Sequence, residues 1–186
     1  MAGNGLALGS WEDTERSLGE VVARLTGPDE VNAADIRRRL EVLAWDCPLH
    51  YDDEVARAHG YRGVVAPTTM LMTWVMPPYW SPGDPPPSLE DPPLFPSLGL
   101  CRVPAPGEAG FITSCETEYF EPVYPGDRIT ATSVPTEVTR KKLSVGEGAF
   151  ISVTTTYTNQ TGVVVGVERI VVFRYTPAAE ADLTTC

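Results

Sequence analysis

The feature that most constrains the fold is an apolar run near the middle of the chain, from Met70 to Met76. Thr73 is the polar residue within it, and Ala66-Pro67-Thr68-Thr69 leads into it. Because the run has no polar face, a helix enclosed by a sheet fits it better than a surface helix does. Pro77-Pro78 ends the run, since proline cannot continue a helix. We therefore expect a buried central helix that the rest of the chain encloses.

The composition is typical of a globular protein and argues against a nucleic-acid or anionic-membrane partner. The chain has 186 residues and is 42% hydrophobic, which is typical of one domain with a substantial core. The formal net charge of −11 argues against nucleic acid or an anionic membrane as a partner, because both require clustered Lys and Arg. No apolar segment approaches the ~20 residues of a membrane span, and residues 1–10 lack the pattern of a leader peptide. We therefore expect a soluble, cytoplasmic protein.

The cysteines and histidines do not form a recognisable metal site. The cysteines are Cys47, Cys101, Cys115 and Cys186. Their spacing is unpaired, which fits reduced thiols better than a zinc site or a disulfide framework. The two histidines, His50 and His59, cannot bind a metal alone. We expect no metal and no cofactor.

Two helices are predicted in the first third of the chain. Asn32 can cap a helix that continues to about residue 45, and Asp52 can cap a short helix over 52–59. The apolar positions of the first helix are Ile36, Leu40 and Leu43. The i, i+4 ion pairs expected on its exposed side are Asp35 with Arg39 and Arg37 with Glu41. The arginine triplet 37–39 is then either a solvated face or a site for a ligand phosphate.

The chain is expected to form one domain over residues 18–178, with loose tails at 1–17 and 179–186. Within it, residues 77–110 hold 11 of the chain's 18 prolines, too many for regular structure. A long ordered loop of this kind is typical of a lid or binding loop, and the alternative is a disordered linker. Large apolar residues favour the lid, and they are Trp80, Leu94, Phe95, Leu98 and Leu100.

The second half of the chain is predicted to be β-structure. Residues 18–26 can supply a first strand, and four segments rich in Val, Ile, Thr, Tyr and Phe follow the proline-rich segment. Those segments are 111–120, 127–138, 149–159 and 163–176. Short connections between them predict an antiparallel meander. Helices followed by strands indicate an α+β domain with a helix packed on one face of the sheet.

Several motifs together resemble those of the MaoC-like hydratase and dehydratase family. They are Asp46-Cys47-Pro48-Leu49-His50, Glu54 to Tyr61, Val65-Ala66-Pro67-Thr68, and Tyr119 to Asp127. The resemblance implies a hot-dog fold, in which an antiparallel sheet wraps a long helix and two such units pair into a double hot dog. It also implies hydration of trans-2-enoyl thioesters or dehydration of 3-hydroxyacyl thioesters.

A closer likeness is to the dehydratase N-terminal type, including the larger subunit of two-subunit enoyl-CoA hydratases that act on steroid side chains. The stretches that carry it are Val65 to Met70, Trp74 to Met76, and Gly146 to Ile151. In such pairs, the larger subunit's domain typically lacks the catalytic dyad and shapes the substrate tunnel. The smaller subunit carries the acid and the base.

The family's catalytic motif is altered in this sequence. Active members have Gly-Asp-x-Asn-Pro-Leu-His, and alignment on Pro48-Leu49-His50 places Trp45 in the aspartate position. The nearest acid, Asp46, is displaced by one residue. Ala66-Pro67 also replaces the His-Gly pair that often opens the central helix. Relative to the family motif, this sequence therefore keeps the histidine and has its nearest acid one residue later.

The resemblance implies His50 and Asp46 as candidate catalytic residues, with His50 as the base. Backbone amides at the start of the central helix can polarise a thioester carbonyl. Pro67 removes one such donor. The candidate substrate-binding residues are Pro67, Thr68, Thr69, Trp74 and Trp45. The alternative is that Asp46 caps the bend before Pro48 and that His50 is buried or faces a partner.

Two functions follow from these observations. The first is a MaoC-like hydratase or dehydratase of a bulky acyl-CoA or carrier-bound acyl group. The second is a non-catalytic, tunnel-forming subunit whose hot-dog partner supplies the Asp/His dyad. In either case we expect a homodimer or a heteromer, because one hot-dog sheet leaves an unpaired edge strand.

Overall fold

A five-stranded antiparallel sheet forms the frame of the molecule. The computed structural model describes residues 6–78, 80–85 and 99–177. The strands are β1 (Ala23–Thr26), β2 (Ala109–Tyr119), β3 (Thr130–Leu143), β4 (Gly146–Thr158) and β5 (Val164–Pro177). The helices are α1 (Trp11–Arg16), α2 (Ala33–Leu43) and α3 (Asp53–Ala58), and 3-10 turns cover Pro48–His50, Thr68–Met70, Thr73–Val75 and Gly99–Arg102. This combination confirms the predicted α+β class.

The strand order differs from the predicted meander. The order across the sheet is β1-β3-β4-β5-β2, so β3, β4 and β5 form a meander but β2 pairs with β5. The connection over residues 120–129 therefore leads from one side of the sheet to β3. Buried Asp127 holds this connection, because its carboxylate accepts hydrogen bonds from Arg62 and from the amide of Tyr124, both at 2.8 Å. A short connection does not require that the strands it joins be neighbours, and the four-strand meander is wrong for that reason.

The apolar run is buried as predicted, but it does not form one continuous α-helix. Two 3-10 turns, Thr68–Met70 and Thr73–Val75, replace it. The run's large side chains lie in the core, and they are Met70, Leu71, Trp74 and Val75. Pro67 and Pro77 enclose a segment that is short for a helix, and β-branched threonines within it lower helix propensity further. Short 3-10 turns satisfy the backbone under these limits.

Helix α2 follows its predicted caps. The Asn32 side chain accepts a hydrogen bond from the amide of Asp35 at 2.9 Å, and Ala44 ends the helix with a left-handed φ of 48°. Ile36 and Leu40 are buried as expected, whereas Leu43 is exposed. The ion pair of Arg37 with Glu41 is confirmed, but Asp35 pairs with Arg38 and not with Arg39. Asp52 caps α3 as predicted.

The N-terminal segment over residues 6–17 is ordered, where a loose tail over 1–17 was expected. Ser10 and Asp13 form a capping box that starts α1, and the hydroxyl of buried Thr14 donates to the carbonyl of Pro104 at 2.6 Å. The amide of Ala7 also donates to the carbonyl of Cys101 at 2.8 Å. The capping box and these long-range hydrogen bonds compensate for the absence of apolar periodicity in this segment.

Arg174 of β5 links the N-terminal segment to the loop before β2. Its side chain is completely buried, and burial lowers the pKa of the guanidinium. The guanidinium donates hydrogen bonds at 2.6–3.5 Å to four backbone carbonyls. Those carbonyls belong to Ala7, Val103, Ala105 and Gly107. A buried cation is thus satisfied by main-chain oxygens, which orders both segments around it.

The interior is divided into two hydrophobic clusters. The first cluster joins α2 and the two central 3-10 turns to the sheet, and it includes Ile36, Leu40, Met70, Leu71, Trp74, Ala131 and Tyr157. The second cluster lies beneath Gly99–Arg102, and it includes Leu100, Val103, Ile151, Val153, Ile170 and Val172. The proposed lid over 77–110 lies partly outside the described residues, as do Leu94, Phe95 and Leu98.

Candidate functional site

The half-buried His50 is oriented by a single backbone contact. Its Nδ1 lies 2.8 Å from the carbonyl oxygen of Val65. A carbonyl only accepts, so this contact places a proton on Nδ1 and leaves the Nε2 lone pair free in the neutral imidazole. The amide of Val65 in turn donates to the carbonyl of Leu49 at 3.1 Å, which ties the histidine turn to the segment before Pro67. The imidazole therefore has the tautomer that a general base at Nε2 requires.

Asp46 contacts Tyr51 and does not join this arrangement. Its carboxylate is exposed and accepts a hydrogen bond from the hydroxyl of Tyr51. That hydrogen bond is the main cause that raises the pKa of the Tyr51 hydroxyl. Within the described part of the chain, no hydrogen bond joins Asp46 to His50. A one-residue displacement thus gives the acid a different partner, and the catalytic role predicted for Asp46 has no geometric support here.

The segment after Val65 offers a short turn in place of a helix N-terminus. Pro67 is buried, Thr68 and Thr69 are exposed, and the amide of Met70 donates to the carbonyl of Pro67 at 3.0 Å. Among the described residues, no acceptor contacts the amides of Thr68 and Thr69. Because a single 3-10 turn aligns few peptide dipoles, it polarises a carbonyl less than a long helix would. The substrate-binding role of these three residues stays a prediction.

The two tryptophans predicted to contact substrate lie in different environments. Trp45 is 39% exposed, and its ring meets the His50 ring at 65° with a centroid distance of 4.9 Å. Trp74 is only 6% exposed and packs within the first cluster. Its Nε1 has no hydrogen-bond partner among the described residues. Trp45 therefore shields one side of the imidazole, and Trp74 belongs to the core.

Sequence reasoning missed a half-buried carboxylic acid on the inner face of the sheet, Glu168 of β5. Its Oε2 accepts a hydrogen bond from the Tyr157 hydroxyl at 3.2 Å, and its Oε1 lies 3.9 Å from the Cys115 thiol. Burial raises the pKa of Glu168 and also that of Tyr157. Both faces of β5 carry apolar residues, so strand periodicity did not indicate that Glu168 points inward.

We expect replacement of Glu168 by glutamine to make the fold less sensitive to pH. Because its pKa is above the usual 4.5 in the folded chain, the protonated acid stabilises the fold below about pH 4.5, and this contribution is lost as pH rises through the folded-state pKa. The stability of the wild type relative to Glu168→Gln should therefore fall with rising pH and then level off. Urea denaturation of both proteins from about pH 4 to pH 8 measures this difference. A difference that is constant with pH would contradict the raised pKa.

The described residues contain no group of three or more His, Cys, Asp and Glu side chains placed to hold a metal ion. No helix among them is long and apolar enough to cross a bilayer.

Comparison with known proteins identifies the family. Residues 19–167 match the FAS1-like, dehydratase domain region. The chain belongs to this dehydratase family. The match covers most of the chain, including the His50 turn, the central 3-10 turns and β2 to β4. It confirms the predicted relationship to MaoC-like hydratases and dehydratases.

Two curated relatives of this dehydratase-family chain are named as alpha subunits. A probable enoyl-CoA hydratase alpha subunit of Thermomonospora curvata is 33% identical over an alignment of 178 positions, which covers 90% of this chain and 54% of the relative. The 3-oxo-4,17-pregnadiene-20-carboxyl-CoA hydratase alpha subunit of Mycobacterium tuberculosis is 33% identical over 129 residues, 67% of this chain and 38% of the relative. The chain thus spans about half or less of the length of these relatives.

A solved structure shares the dehydratase-family fold. The ChsH1-ChsH2 complex of Mycobacterium tuberculosis contains a chain that is 25% identical, with a TM-score of 0.67 and coverage of 91% of this chain and 92% of that one. The likeness confirms the predicted hot-dog fold, with the correction that its central segment here consists of 3-10 turns.

Proposed function

We propose that this chain is one subunit of an enoyl-thioester hydratase, which also catalyses the reverse dehydration, and that its interior holds the acyl group of a bulky acyl-CoA. The observation that carries the proposal is the contact of Asp46 with Tyr51 in place of His50. An assembled acid and base are the usual requirement for this chemistry, and among the described residues no hydrogen bond joins Asp46 to His50. The alpha-subunit names of two relatives support the proposal.

The roles that we propose for the two chains follow from what the reaction requires. Hydration needs a water deprotonated near Cβ, a proton delivered to Cα, and stabilisation of charge on the thioester oxygen. In the proposed assembly, a second hot-dog chain supplies the Asp/His dyad. This chain supplies the wall of the acyl site, built from its two hydrophobic clusters.

The edge strand β2 is the surface that we propose for the partner. Among the strands of the described residues, β2 pairs with β5 on one side and with no strand on the other, which leaves an edge available for pairing. Large apolar residues on β2 and just after it are exposed, and they are Phe111, Ile112, Tyr119 and Phe120. An exposed apolar edge strand is a template for pairing with another chain. Pairing there would bury these side chains and complete the sheet.

We accordingly expect the chain to associate in solution, either with itself or with a second hot-dog chain. Light scattering at concentrations well above micromolar should give a mass larger than the 20.2 kDa of one chain. Ile112→Lys places a charge on the exposed edge and should shift the population towards the monomer. The matched control is Val42→Lys, because Val42 is also exposed but lies on α2. A monodisperse mass of one chain, both alone and when mixed with a hot-dog partner, would contradict the proposed assembly.

A second candidate function is favoured by the geometry of His50. Its free Nε2 allows it to act as the base in this chain, with Trp45 beside it in the position that the family gives to aspartate. In that case, this chain is a hydratase without a second type of subunit.

Enoyl-CoA turnover separates the two candidates. The substrate named for the Mycobacterium tuberculosis relative, 3-oxo-4,17-pregnadiene-20-carboxyl-CoA, is the first to test. We expect no hydration by this chain alone, and hydration when a hot-dog protein with an intact Asp/His dyad is added. In the active pair, His50→Ala should retain turnover within about threefold of the wild type. His59→Ala is the matched control, since His59 is the exposed histidine at the end of α3. A loss of about 100-fold or more in His50→Ala alone would instead establish His50 as a base.

A further inference from the structure

A row of polar side chains crosses the inner face of the sheet. Ser133 of β3 lies opposite Thr155 of β4, Thr155 lies opposite Glu168 of β5, and Glu168 lies opposite Thr117 of β2. The hydroxyls of Ser133 and Thr155 are 2.8 Å apart and buried. Directly opposed residues on adjacent strands are side-chain neighbours on one face. Four strands thus contribute to one continuous polar row.

This row lies at the boundary between the two hydrophobic clusters. On β4, Val153 belongs to the second cluster and Tyr157 to the first, with Thr155 between them. Residues two apart on a strand share a face, so all three point to the same side of the sheet. The polar row therefore interrupts an otherwise apolar interior at one level of the sheet.

A small cavity opens at that boundary. Its volume is about 10 Å³, close to the minimum that holds one water molecule. Its polar lining consists of Thr155, Tyr157 and Glu168, and its apolar lining includes Met72, Val75, Leu100, Val153 and Ile170. The cavity thus brings a carboxylic acid, a phenol and a hydroxyl to one hydroxyl-sized space, directly beneath the central 3-10 turns.

Few interactions in the fold offset the cost of partly burying the Glu168 carboxyl group. Within the described residues, its hydrogen-bond donors are the Tyr157 hydroxyl and the Cys115 thiol, and no Lys or Arg pairs with it. The adjacent Arg169 pairs with Glu137 instead. Burying a carboxyl group without a cation is costly, and an apolar residue at this position would pack without that cost. Interior polar groups that cost stability and line a cavity are typical of binding sites.

We propose that Glu168, Tyr157 and Thr155 form a hydrogen-bonding site for one hydroxyl group on the acyl chain of the ligand, away from its thioester. The carboxyl group with its two neighbours binds the oxygen. The cavity has room for that oxygen alone, so the carbon skeleton reaches it only when apolar lining side chains such as Met72 and Val75 move apart. The chain thereby selects acyl thioesters that carry an alcohol over those that are fully hydrocarbon. This inference rests on the proposed function, because it takes the interior as the acyl site.

Matched acyl-CoA esters test the proposal. Saturated acyl-CoA esters cannot be hydrated, so calorimetric titration reports binding alone. We expect that, in a series of chain lengths, one ω-hydroxyacyl-CoA binds about tenfold more tightly than the unmodified ester of the same length, as one hydrogen bond to a carboxyl group allows. Glu168→Leu fills the same space without polar atoms and should abolish this preference. Tyr157→Phe keeps the ring in the first cluster and should reduce the preference severalfold.

Thr154→Ala is the matched control, because Thr154 is next to Thr155 on β4 but faces the opposite side of the sheet and does not line the cavity. It should keep the full preference for the hydroxylated ester. Equal affinity for both esters at every length would overturn the proposal while leaving the proposed function intact. A preference that persists in both Glu168→Leu and Tyr157→Phe would also overturn it. Failure of the wild type to bind any acyl-CoA, with and without a hot-dog partner, would overturn the proposed function itself.

Discussion

Replacing Arg174 with methionine should destabilise the fold by about 4 kcal/mol or more, because hydrogen bonds to a charged group contribute about 1.5–3 kcal/mol each and buried carbonyls lose their donors. Methionine approximates the length of the side chain, so the loss reports hydrogen bonding more than volume. The carbonyls left without a donor are those of Ala7, Val103, Ala105 and Gly107. Urea denaturation gives the free energy of unfolding for both proteins.

Two further variants define the origin of that loss. Arg174→Lys keeps the positive charge, but its single ammonium group cannot donate to all the carbonyls that surround the planar guanidinium. It should therefore recover only part of the stability. Arg24→Met is the control for the loss of a positive charge from a strand, since Arg24 is exposed on β1. It should leave stability unchanged. An Arg174→Met protein as stable as the wild type would show that the carbonyls obtain other donors.

Truncating Trp74 should have an effect of similar size, whereas truncating Trp45 should not. Trp74→Ala removes a large ring from the first cluster and should cost about 3–5 kcal/mol, the usual range for tryptophan in a core. Trp45 would cost the same only if it were buried, and its exposure lowers the expected loss to about 1 kcal/mol or less. Thermal and urea denaturation of the two variants provides the comparison.

Trp74→Phe separates ring packing from hydrogen bonding. Because Nε1 of Trp74 has no partner in the described part of the chain, loss of the indole N–H removes an unsatisfied donor. Trp74→Phe should therefore be much less destabilising than Trp74→Ala. Similar losses in Trp74→Ala and Trp45→Ala would mean that the two rings are equally important to the core.

Local sequence signals were sufficient for most individual elements. Asn32 and Asp52 mark the starts of their helices in the sequence, because a side-chain oxygen can accept hydrogen bonds from first-turn amides without help from the rest of the fold. The segments that became β3, β4 and β5 were recognisable from their β-branched and aromatic residues. Burial of most of the run from Met70 to Met76 was equally plain, since Thr73 is its single polar residue and is the one that faces water.

Features that depend on distant contacts were not predictable. The position of β2 beside β5 depends on the path of residues 120–129, which Asp127 fixes through Arg62. Order in the N-terminal segment depends on Arg174, a residue near the other end of the described chain. The strand pattern alone cannot tell a buried arginine from an exposed one, because the cost of burial is offset by carbonyls that only the fold brings together.

The candidate site shows the same limit. The sequence identified His50 and its motif, and the structure gives that imidazole a defined tautomer. It also identified the displacement of Asp46, but only the structure shows that the displaced carboxylate accepts a hydrogen bond from Tyr51. Catalytic contacts require atoms to lie about 3 Å apart, and the spacing of residues along the sequence does not predict distances that small.

The position of β2 has a consequence for synthesis of the protein. β2 is made before β3, β4 and β5, yet its partner in the sheet is β5, which leaves the ribosome after β3 and β4. Until then, an apolar strand with side chains such as Phe111 and Ile112 has no native edge to pair with. Non-local strand pairing of this kind is slow, and nascent chains with unpaired apolar strands are prone to aggregate. Chaperone availability and translation rate should therefore govern the soluble yield of this chain more than its final stability does.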